Sequence, residues 1–353
     1  MICKITKKKL KPFMSFGKMP IANGFLKKKD FKKEYFFNME VGFSKDISLF
    51  QLNDHPKPKL MFNKNYPFFT GSSKGMINHF KEYSKWIKKY YGKGLKNLLE
   101  IGSNDGTFLN NFNKKKIKVI GFEPSSNVAN ISKKKGIKTI NSFFDYKNVK
   151  HLKSLQKKIN IITAANVICH VPDLKNLIRG IDFLLSDNGV FIFEEPYLGS
   201  MYDKVSYDQI YDEHIFIFSV NSIKKIFELF NFELIDVIPQ NTHGGSMRYV
   251  ISRKGQKKIK VSVKKLLKKE RIKDIDNLKG CLRFKKKCEK SKKNLIKKFS
   301  NFKKSNKIVA GYGATSKSTT ILNYCGIDYK DIKFICDTTP EKIGKYSPGT
   351  HIP

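Results

Sequence analysis

The chain is 353 residues long with 40% hydrophobic residues, enough for two or three domains with cores of their own, and no apolar run approaches the ~20 residues of a membrane-crossing helix. Its six cysteines, Cys3, Cys169, Cys281, Cys288, Cys325 and Cys336, form no CxxC pair, which excludes a disulfide-built scaffold; with a Lys-rich start that lacks a secretory apolar segment, this predicts a cytoplasmic protein with reduced thiols and no membrane partner. A net charge of +40 would by itself suggest nucleic acid, yet Lys, Asn, Ile and Phe are abundant together, as A- and T-rich codons dictate, so the lysines are read as a solvated surface suited to acidic, phosphate-bearing substrates, and nucleic acid is not the expected partner.

Residues 1–65 show no long periodic helix. They carry strand-like pieces, Tyr35–Phe43 and Ile47–Leu52, and a loop at 16–25 punctuated by glycine and proline, so a small β-rich module is expected. Between Gly71 and Tyr91, Met76, Ile77, Phe80, Tyr83, Trp86 and Ile87 recur at helical spacing behind a candidate N-cap, Ser72 or Ser73. An α/β body follows, with strands near 97–101, 118–122, 137–140, 159–164, 189–194 and 233–237, and helices near 106–113, 126–135, 173–186 and 219–231. Such alternation predicts a doubly wound, largely parallel sheet. From about 254 to 307 the chain is Lys-rich, and the apolar stripe Val261, Val263, Leu266, Leu267, Ile272 and Ile275 predicts one or two long amphipathic helices. The last stretch restarts an α/β unit, with a strand and glycine turn at Lys307–Ala314, a helix at Thr315–Leu322 and a strand at Ile332–Asp337. It reads as a domain cut short at Pro353, because a lone strand pair is a poor endpoint for a sheet.

The stretch Asn97–Phe108 organises the rest. A short apolar strand runs into Gly102-Ser-Asn-Asp-Gly106, a turn that lets a ligand lie against bare backbone. Glu123, followed by Pro124, ends the next strand 21 positions after Gly102, the spacing at which a doubly wound fold places an acid on ribose hydroxyls. A dinucleotide site would want a third glycine, and Asp105 would repel a pyrophosphate. S-adenosylmethionine (SAM) has no phosphate, and its cationic centres tolerate a carboxylate, so it is preferred over NAD. A glycine turn that binds nothing would leave the placement of Glu123 a coincidence.

Tyr211, Glu213 and His214 put three proton-handling groups into four positions after the strand that ends at Glu194-Glu195-Pro196. His214 could take a carbon-bound proton, Tyr211 could donate to an oxyanion, and Glu213 could orient the histidine or a substrate hydroxyl. A helix start with a satisfied histidine stays open on these residues alone. In Asn241–Arg248, Gly244 and Gly245 allow backbone approach to an anion and Arg248 offers a bidentate fork, with an ordinary hairpin turn as the alternative. His170, after the fourth strand of the body, suits a packed side chain or a site wall equally.

Six stretches in order carry a resemblance over nearly the whole chain: Pro20-Ile-Ala-Asn23, Tyr66–Ser73, Glu100–Gly106, Tyr211-Asp-Glu-His214, His243-Gly-Gly-Ser246 and Gly311–Lys317. The chain resembles the SAM-dependent sugar C-methyltransferases of deoxysugar biosynthesis, which act on nucleotide-linked 4-keto-sugars. The resemblance implies a Rossmann-like class I methyltransferase domain at 66–253 between a small zinc-binding-like module at 1–65 and a Lys-rich helical connector at 254–306. The start of a C-terminal α/β substrate-binding domain follows at 307–353. It implies His214 as the base beside the ketone, assisted by Tyr211 and Glu213, with Tyr66 next in line. The cofactor would fall to Glu100, Gly102, Asn104, Asp105, Gly106, Glu123, Pro124 and Asn166, and the nucleotide-sugar to His243, Gly244, Gly245, Ser246, Arg248, Tyr312 and Lys317. Zinc is not expected, since the family's four cysteine positions hold Cys3, Thr6, Ser44 and Ile47. Methylation of oxygen or nitrogen on a small acceptor is the alternative chemistry, and an inactive basic binding module the alternative class.

Overall fold

The computed structural model describes residues 1–64 and 66–353. They fold as two compact units, the first made of Met1–Lys57, Pro196–Ser219 and Glu270–Pro353, the second of Pro58–Glu195 and Val220–Lys269. In chain order the strands are β1 (Pro12–Pro20), β2 (Phe36–Ser44), β3 (Leu49–Leu52), β4 (Asn97–Ile101), β5 (Lys118–Phe122), β6 (Lys138–Ile140) and β7 (Ile159–Ala165). They continue with β8 (Leu185–Pro196), β9 (Phe216–Ile217), β10 (Phe232–Gln240), β11 (Ser246–Arg253), β12 (Gly311–Tyr312) and β13 (Ile335–Cys336).

In the second unit the strand order is β10-β11-β8-β7-β4-β5-β6. β8, β7, β4, β5 and β6 run parallel, and β10 and β11 form an antiparallel hairpin at one edge. This is the Rossmann-like order of class I methyltransferases. Its central strands read as apolar runs because both faces are covered: Phe193 is fully buried between Phe191, 4.8 Å away, and Tyr249, 5.0 Å away. The helix Lys74–Tyr91 starts where its sequence predicts, with the Ser73 hydroxyl accepting from the Met76 amide, and it buries Phe80, Tyr83 and Ile87.

Two expectations for this unit need correction. No α-helix covers 106–113; the segment forms turns and a short 3-10 stretch at Leu109–Asn111. Asp105 Oδ1 accepts from both the backbone and the hydroxyl of Thr107, and Asn111 Nδ2 donates to the Thr107 and Phe108 carbonyls, so side chains take up the local bonding that a helix would use. The polar stretch 241–248 is half turn and half strand, since β11 begins at Ser246.

The first unit is built on the antiparallel order β1-β2-β3-β9. β1 runs on through Phe16–Pro20, where a loop is expected, because Gly17 at φ +79° absorbs a register shift between Ser15 and Lys18 and pairing resumes at Lys18 and Asn38. The strand residues Phe13, Phe16, Val41 and Phe50 share one core with Cys281, Phe284 and Cys288. Those three lie on one face of the 27-residue helix Leu278–Lys304, which carries eleven Lys among its other positions. The preceding helix, Val261–Ile272, departs from its predicted stripe: Val263 is buried, but Val261 and Ile272 are 64% and 73% exposed.

The N-terminal turn is tied down by a buried side chain. Gln51, fully buried on β3, accepts from the Lys4 amide and donates to the Ile2 carbonyl, each at 3.0 Å. Gln51→Ala would strand both backbone groups, and an unpaired buried polar group costs about 1–3 kcal/mol. Urea unfolding should show a loss of that size, and a loss below about 0.5 kcal/mol would remove Gln51 as the tie.

Candidate functional site

In the second unit the turn after β4 requires its glycines. Gly102 and Gly106 sit at φ +67° and +76°, and a Cβ on either would collide, with Val167 at the first and with Ile137 and Ser132 at the second. Between them Asn104, itself at φ +47°, donates its amide to Glu123 Oε2 at 3.0 Å, while the Ser125 amide reaches Oε1 at 2.8 Å. The acid closing β5 is thus fastened to the loop closing β4. Burial raises its pKa, and these two amides hold the rise in check.

Glu100 stands beneath the same loop, 4% exposed, and its Oε2 has no hydrogen-bond partner. Burial, followed by the charges of Asp105 and Glu123, pushes its pKa well up. Three crowded carboxylates, one with an orphaned oxygen, repel an anion and favour a cation, so the donor set fits the sulfonium and ammonium of SAM and not a pyrophosphate. The side chains of Asn104 and Asp105 have a further task. Asn104 Oδ1 accepts from the Thr70 amide at 2.9 Å and Asp105 Oδ2 from Gly71 at 2.8 Å, which docks the Tyr66–Ser73 stretch on the loop. The Tyr66 carbonyl is held by Asn127, and Pro124 by Asn141.

At the carboxyl ends of β7 and β10, Asn166 and His243 meet at 3.1 Å, both in left-handed backbone. Gly244 and Gly245 follow at φ +80° and +124°, and the Ser246 hydroxyl closes the turn on the Thr242 carbonyl. His170 stacks on Phe62, and burial together with the charge of His243 takes its pKa down to about 3, so it is neutral.

Arg248 is not the free fork its sequence suggested. Its Nε and Nη2 lie 2.7 and 2.6 Å from Glu194 Oε1, and its guanidinium sits over Tyr83 and Trp86 at 4.0 and 4.6 Å. His79 holds the other Glu194 oxygen at 2.6 Å. Burial alone would raise the pKa of Glu194, but His79 and Arg248 outweigh it and hold the carboxylate ionised. Sequence reasoning missed this triad and the neighbouring Glu195; two adjacent acids in a buried strand were the available signal.

In the first unit, residues 207–214 are held from both ends of the chain. The Ala22 amide donates to Asp212 Oδ1 at 3.0 Å and Asn23 to Glu213 Oε1 at 2.8 Å. Thr319 and Thr320, on the helix Ser316–Cys325, donate to the Ala22 and Ile210 carbonyls, each at 2.9 Å. Asp212 and Glu213 are buried, and burial and mutual repulsion raise the pKa of Asp212 above that of an ordinary carboxyl, while burial also raises Glu213. His214 Nδ1 lies 2.7 Å from the Gln209 carbonyl and Nε2 2.9 Å from the Tyr211 hydroxyl. A carbonyl only accepts, so Nδ1 carries a proton, and in the neutral ring Nε2 accepts from Tyr211. The group on Nδ1 is therefore the Gln209 carbonyl, not the Glu213 carboxylate. Lys317 faces Asp208; burial lowers the lysine pKa and the carboxylate raises it. Tyr312 is 91% exposed.

The same unit contains the positions where the family holds zinc. Cys3 Sγ accepts from the Thr6 amide, Thr6 Oγ1 is buried without a partner, and Ser44 and Ile47 are buried. One thiol, two neutral hydroxyls and an alkyl chain do not make a tetrahedral zinc site.

Glu195 provides a test of these electrostatics. It accepts from the Val167 and Ile168 amides at 3.0 and 2.6 Å, yet burial drives its carboxyl up to about 7. A folded-state pKa above the unfolded value of ~4.3 gives stability that is present below that value and lost as pH rises through about 7. Glu195→Gln keeps an acceptor and removes the titration. Its stability relative to the parent should therefore rise across this window by on the order of 3 kcal/mol. Urea unfolding at pH 5 and pH 8 checks this, and an unchanged difference between the two would refute the buried titration.

Three family models match the chain in succession: a putative zinc binding domain over residues 3–62, a methyltransferase domain over 77–237 and a C-methyltransferase C-terminal domain over 241–353. The chain is 27% identical over 343 residues to the C-methyltransferase NovU of Streptomyces niveus, a match that covers 96% of this chain and 81% of that protein. Among solved structures, the PH0226 protein from Pyrococcus horikoshii OT3 is 12% identical with a TM-score of 0.43, over 53% of this chain and 95% of that one. An S-adenosylmethionine-dependent methyltransferase from Clostridium acetobutylicum ATCC 824 is 14% identical with a TM-score of 0.40, over 51% and 92%. One model on each of three consecutive stretches and a relative along almost the whole length identify the chain as a SAM-dependent methyltransferase similar in sequence to C-methyltransferases.

Proposed function

We propose that this enzyme methylates the carbon beside the ketone of a nucleotide-linked 4-keto-deoxysugar in the cytoplasm. The observation that carries the reading is the hydrogen-bonded pair of Tyr211 and His214, with the imidazole Nδ1 held on the Gln209 carbonyl, on a loop held by both ends of the chain. Carbon methylation needs such a base, because the carbon becomes a nucleophile only once its proton is gone. His214 receives that proton, and the resulting enolate is steadied by hydrogen-bond donors set in place beforehand. Methylation of a hydroxyl or amine makes no comparable demand. A surface of net charge +40 favours the approach of a substrate that carries a diphosphate.

The cofactor belongs to the loop of Gly102, Asn104, Asp105 and Gly106, with Glu100 beneath it, Glu123 and Pro124 toward its ribose and Asn166 alongside. Bound there, SAM supplies an electrophilic methyl group. His243, Gly244, Gly245 and Ser246 offer a turn that could approach an anion, and Lys317 and Tyr312 offer further contacts for the nucleotide-sugar. Arg248 supports that turn from below through Glu194.

Incubation with SAM and a panel of nucleotide 4-keto-deoxysugars, read by NMR, should give a product whose new methyl is bonded to carbon. An O-methyl or N-methyl product would overturn the reading. Glu123→Ala should weaken SAM binding by about 1.5–3 kcal/mol, the value of hydrogen bonds to a charged group. Calorimetry with unchanged affinity would take Glu123 out of the cofactor site.

A further inference from the structure

The stretch Tyr66–Ser73 in the second unit forms no strand and only a three-residue 3-10 turn at Thr70–Ser72, yet it is anchored beyond the carboxyl ends of three adjacent strands. After β7, His170 stacks on Phe62 at 5.6 Å, and Phe62 packs on Tyr66 at 5.4 Å. On the helix Ser126–Lys134 that follows β5, Asn127 Nδ2 donates to the Tyr66 carbonyl at 2.8 Å. After β4, Asn104 Nδ2 donates to the Phe68 carbonyl at 3.1 Å, while Asn104 Oδ1 and Asp105 Oδ2 accept from the Thr70 and Gly71 amides at 2.9 and 2.8 Å. The fit on Asp105 is close: a Cβ on Gly71 would stand 2.6 Å from Oδ2.

Two features make this anchorage more than packing. Glu100, Asp105 and Glu123, the acids around the cofactor loop, are 4, 4 and 5% exposed, so a ligand reaches them only if a wall moves. The stretch laid over Asp105 is a wall held lightly. Phe68 in its middle is 44% exposed, and hydrogen bonds to three side chains hold its backbone where a strand would be held by a ladder. When it lifts, water meets each freed amide and carbonyl, so opening costs far less than unfolding the sheet beneath.

We infer that Tyr66–Gly71 is a strap that closes the cofactor site, and that SAM enters and S-adenosylhomocysteine (SAH) leaves only when the bonds from Asn104, Asp105 and Asn127 release it. The inference rests on the proposed placement of SAM at the Gly102–Gly106 loop, and it makes these three side chains positioning residues for the strap. Asp105 shows how the acids divide the work. Its Oδ1 takes the Thr107 amide and hydroxyl and its Oδ2 the Gly71 amide, with Lys135 Nζ 3.6 Å away, so its oxygens serve the loop and the strap. The orphaned oxygen of Glu100 is left for the cation. Because each turnover exchanges SAH for SAM, the opening rate of the strap is a ceiling on the rate of catalysis.

Stopped-flow mixing of the full chain with SAM reads the gate in the parent protein, with no variant needed. Entry past a strap that is mostly closed gives an observed rate that levels off at high SAM, at the opening rate, where entry into an open site gives a straight line. Gly71→Ala pushes the strap off Asp105, and Asn127→Leu keeps the volume while removing the donor to Tyr66. Each should raise the plateau and the SAH dissociation rate by about tenfold, the worth of one such hydrogen bond. Affinity should change less than either rate, since a gate speeds entry and exit together, whereas a stretch that only shapes the loop would change dissociation alone. A rate linear in SAM, or variants in which association does not accelerate, overturns the strap. In that event weakened SAM binding in Glu123→Ala leaves the cofactor placement standing, while unchanged affinity in Glu123→Ala removes the placement and the strap with it.

Discussion

Glu194 is the buried charge on which the geometry of the seven-stranded sheet's carboxyl edge depends. A carboxylate taken out of water costs several kcal/mol unless its lone pairs are met. At 2% exposure Glu194 meets them with His79 on one oxygen and Arg248 on the other. The guanidinium is in turn roofed by Tyr83 and Trp86, which return part of its lost hydration as cation–π attraction. Because each partner lies on a different element, the cluster pins the helix Lys74–Tyr91, β8 and β11 at one level. The turn between β10 and β11 is then set where His243 reaches Asn166. Removing one partner would leave an uncompensated charge, which is more damaging than never having buried the pair.

The charge distribution follows the same logic over a larger scale. The chain has 70 basic and 30 acidic residues, yet Glu100, Asp105, Glu123, Glu194, Glu195, Asp212 and Glu213 are all buried. A group of acids is thus buried within a chain whose surface is strongly basic. An anionic substrate of the kind proposed above would be attracted by the exterior, where screening is strong and specificity weak. A cationic cofactor is favoured in the interior beside Glu100, where a charge has no cheap alternative partner.

Strands from 97 to 237 were legible in the sequence because buried parallel strands are continuous apolar runs, and the Ser73 cap because it precedes a periodic stripe. The segment after Gly106 was not, since Asp105, Thr107 and Asn111 bond to their own backbone and compete with the helix their apolar neighbours suggest. β11 was hidden behind a glycine pair that looked like the end of structure and was its corner. Tyr211, Glu213 and His214 were visible as a group, but the tautomer of His214 was not, because the carbonyl that fixes it has no sequence signature. Arg248 was visible as a cation, and its commitment to Glu194 follows from packing that no local pattern encodes.

The discontinuity of the first unit is the least legible feature and the one with the most consequence. Residues 196–219 leave one fold in mid-chain to join a sheet begun at β1 and a core completed by the helices Leu278–Lys304 and Ser316–Cys325. Contacts such as Thr319 with Ala22, 297 positions apart, close only when the whole chain has been assembled. The entropy of bringing such distant segments together rises slowly with their separation, so the arrangement is affordable in stability though slow to form. Its effect is that the loop of Tyr211 and His214, tied within itself through the Gln209 carbonyl, is also held by residues near both termini. On the function proposed above, a change in the N-terminal loop or in the C-terminal helix would act on proton abstraction without touching either ring, and would appear in the rate of carbon-acid exchange before it appeared in cofactor affinity.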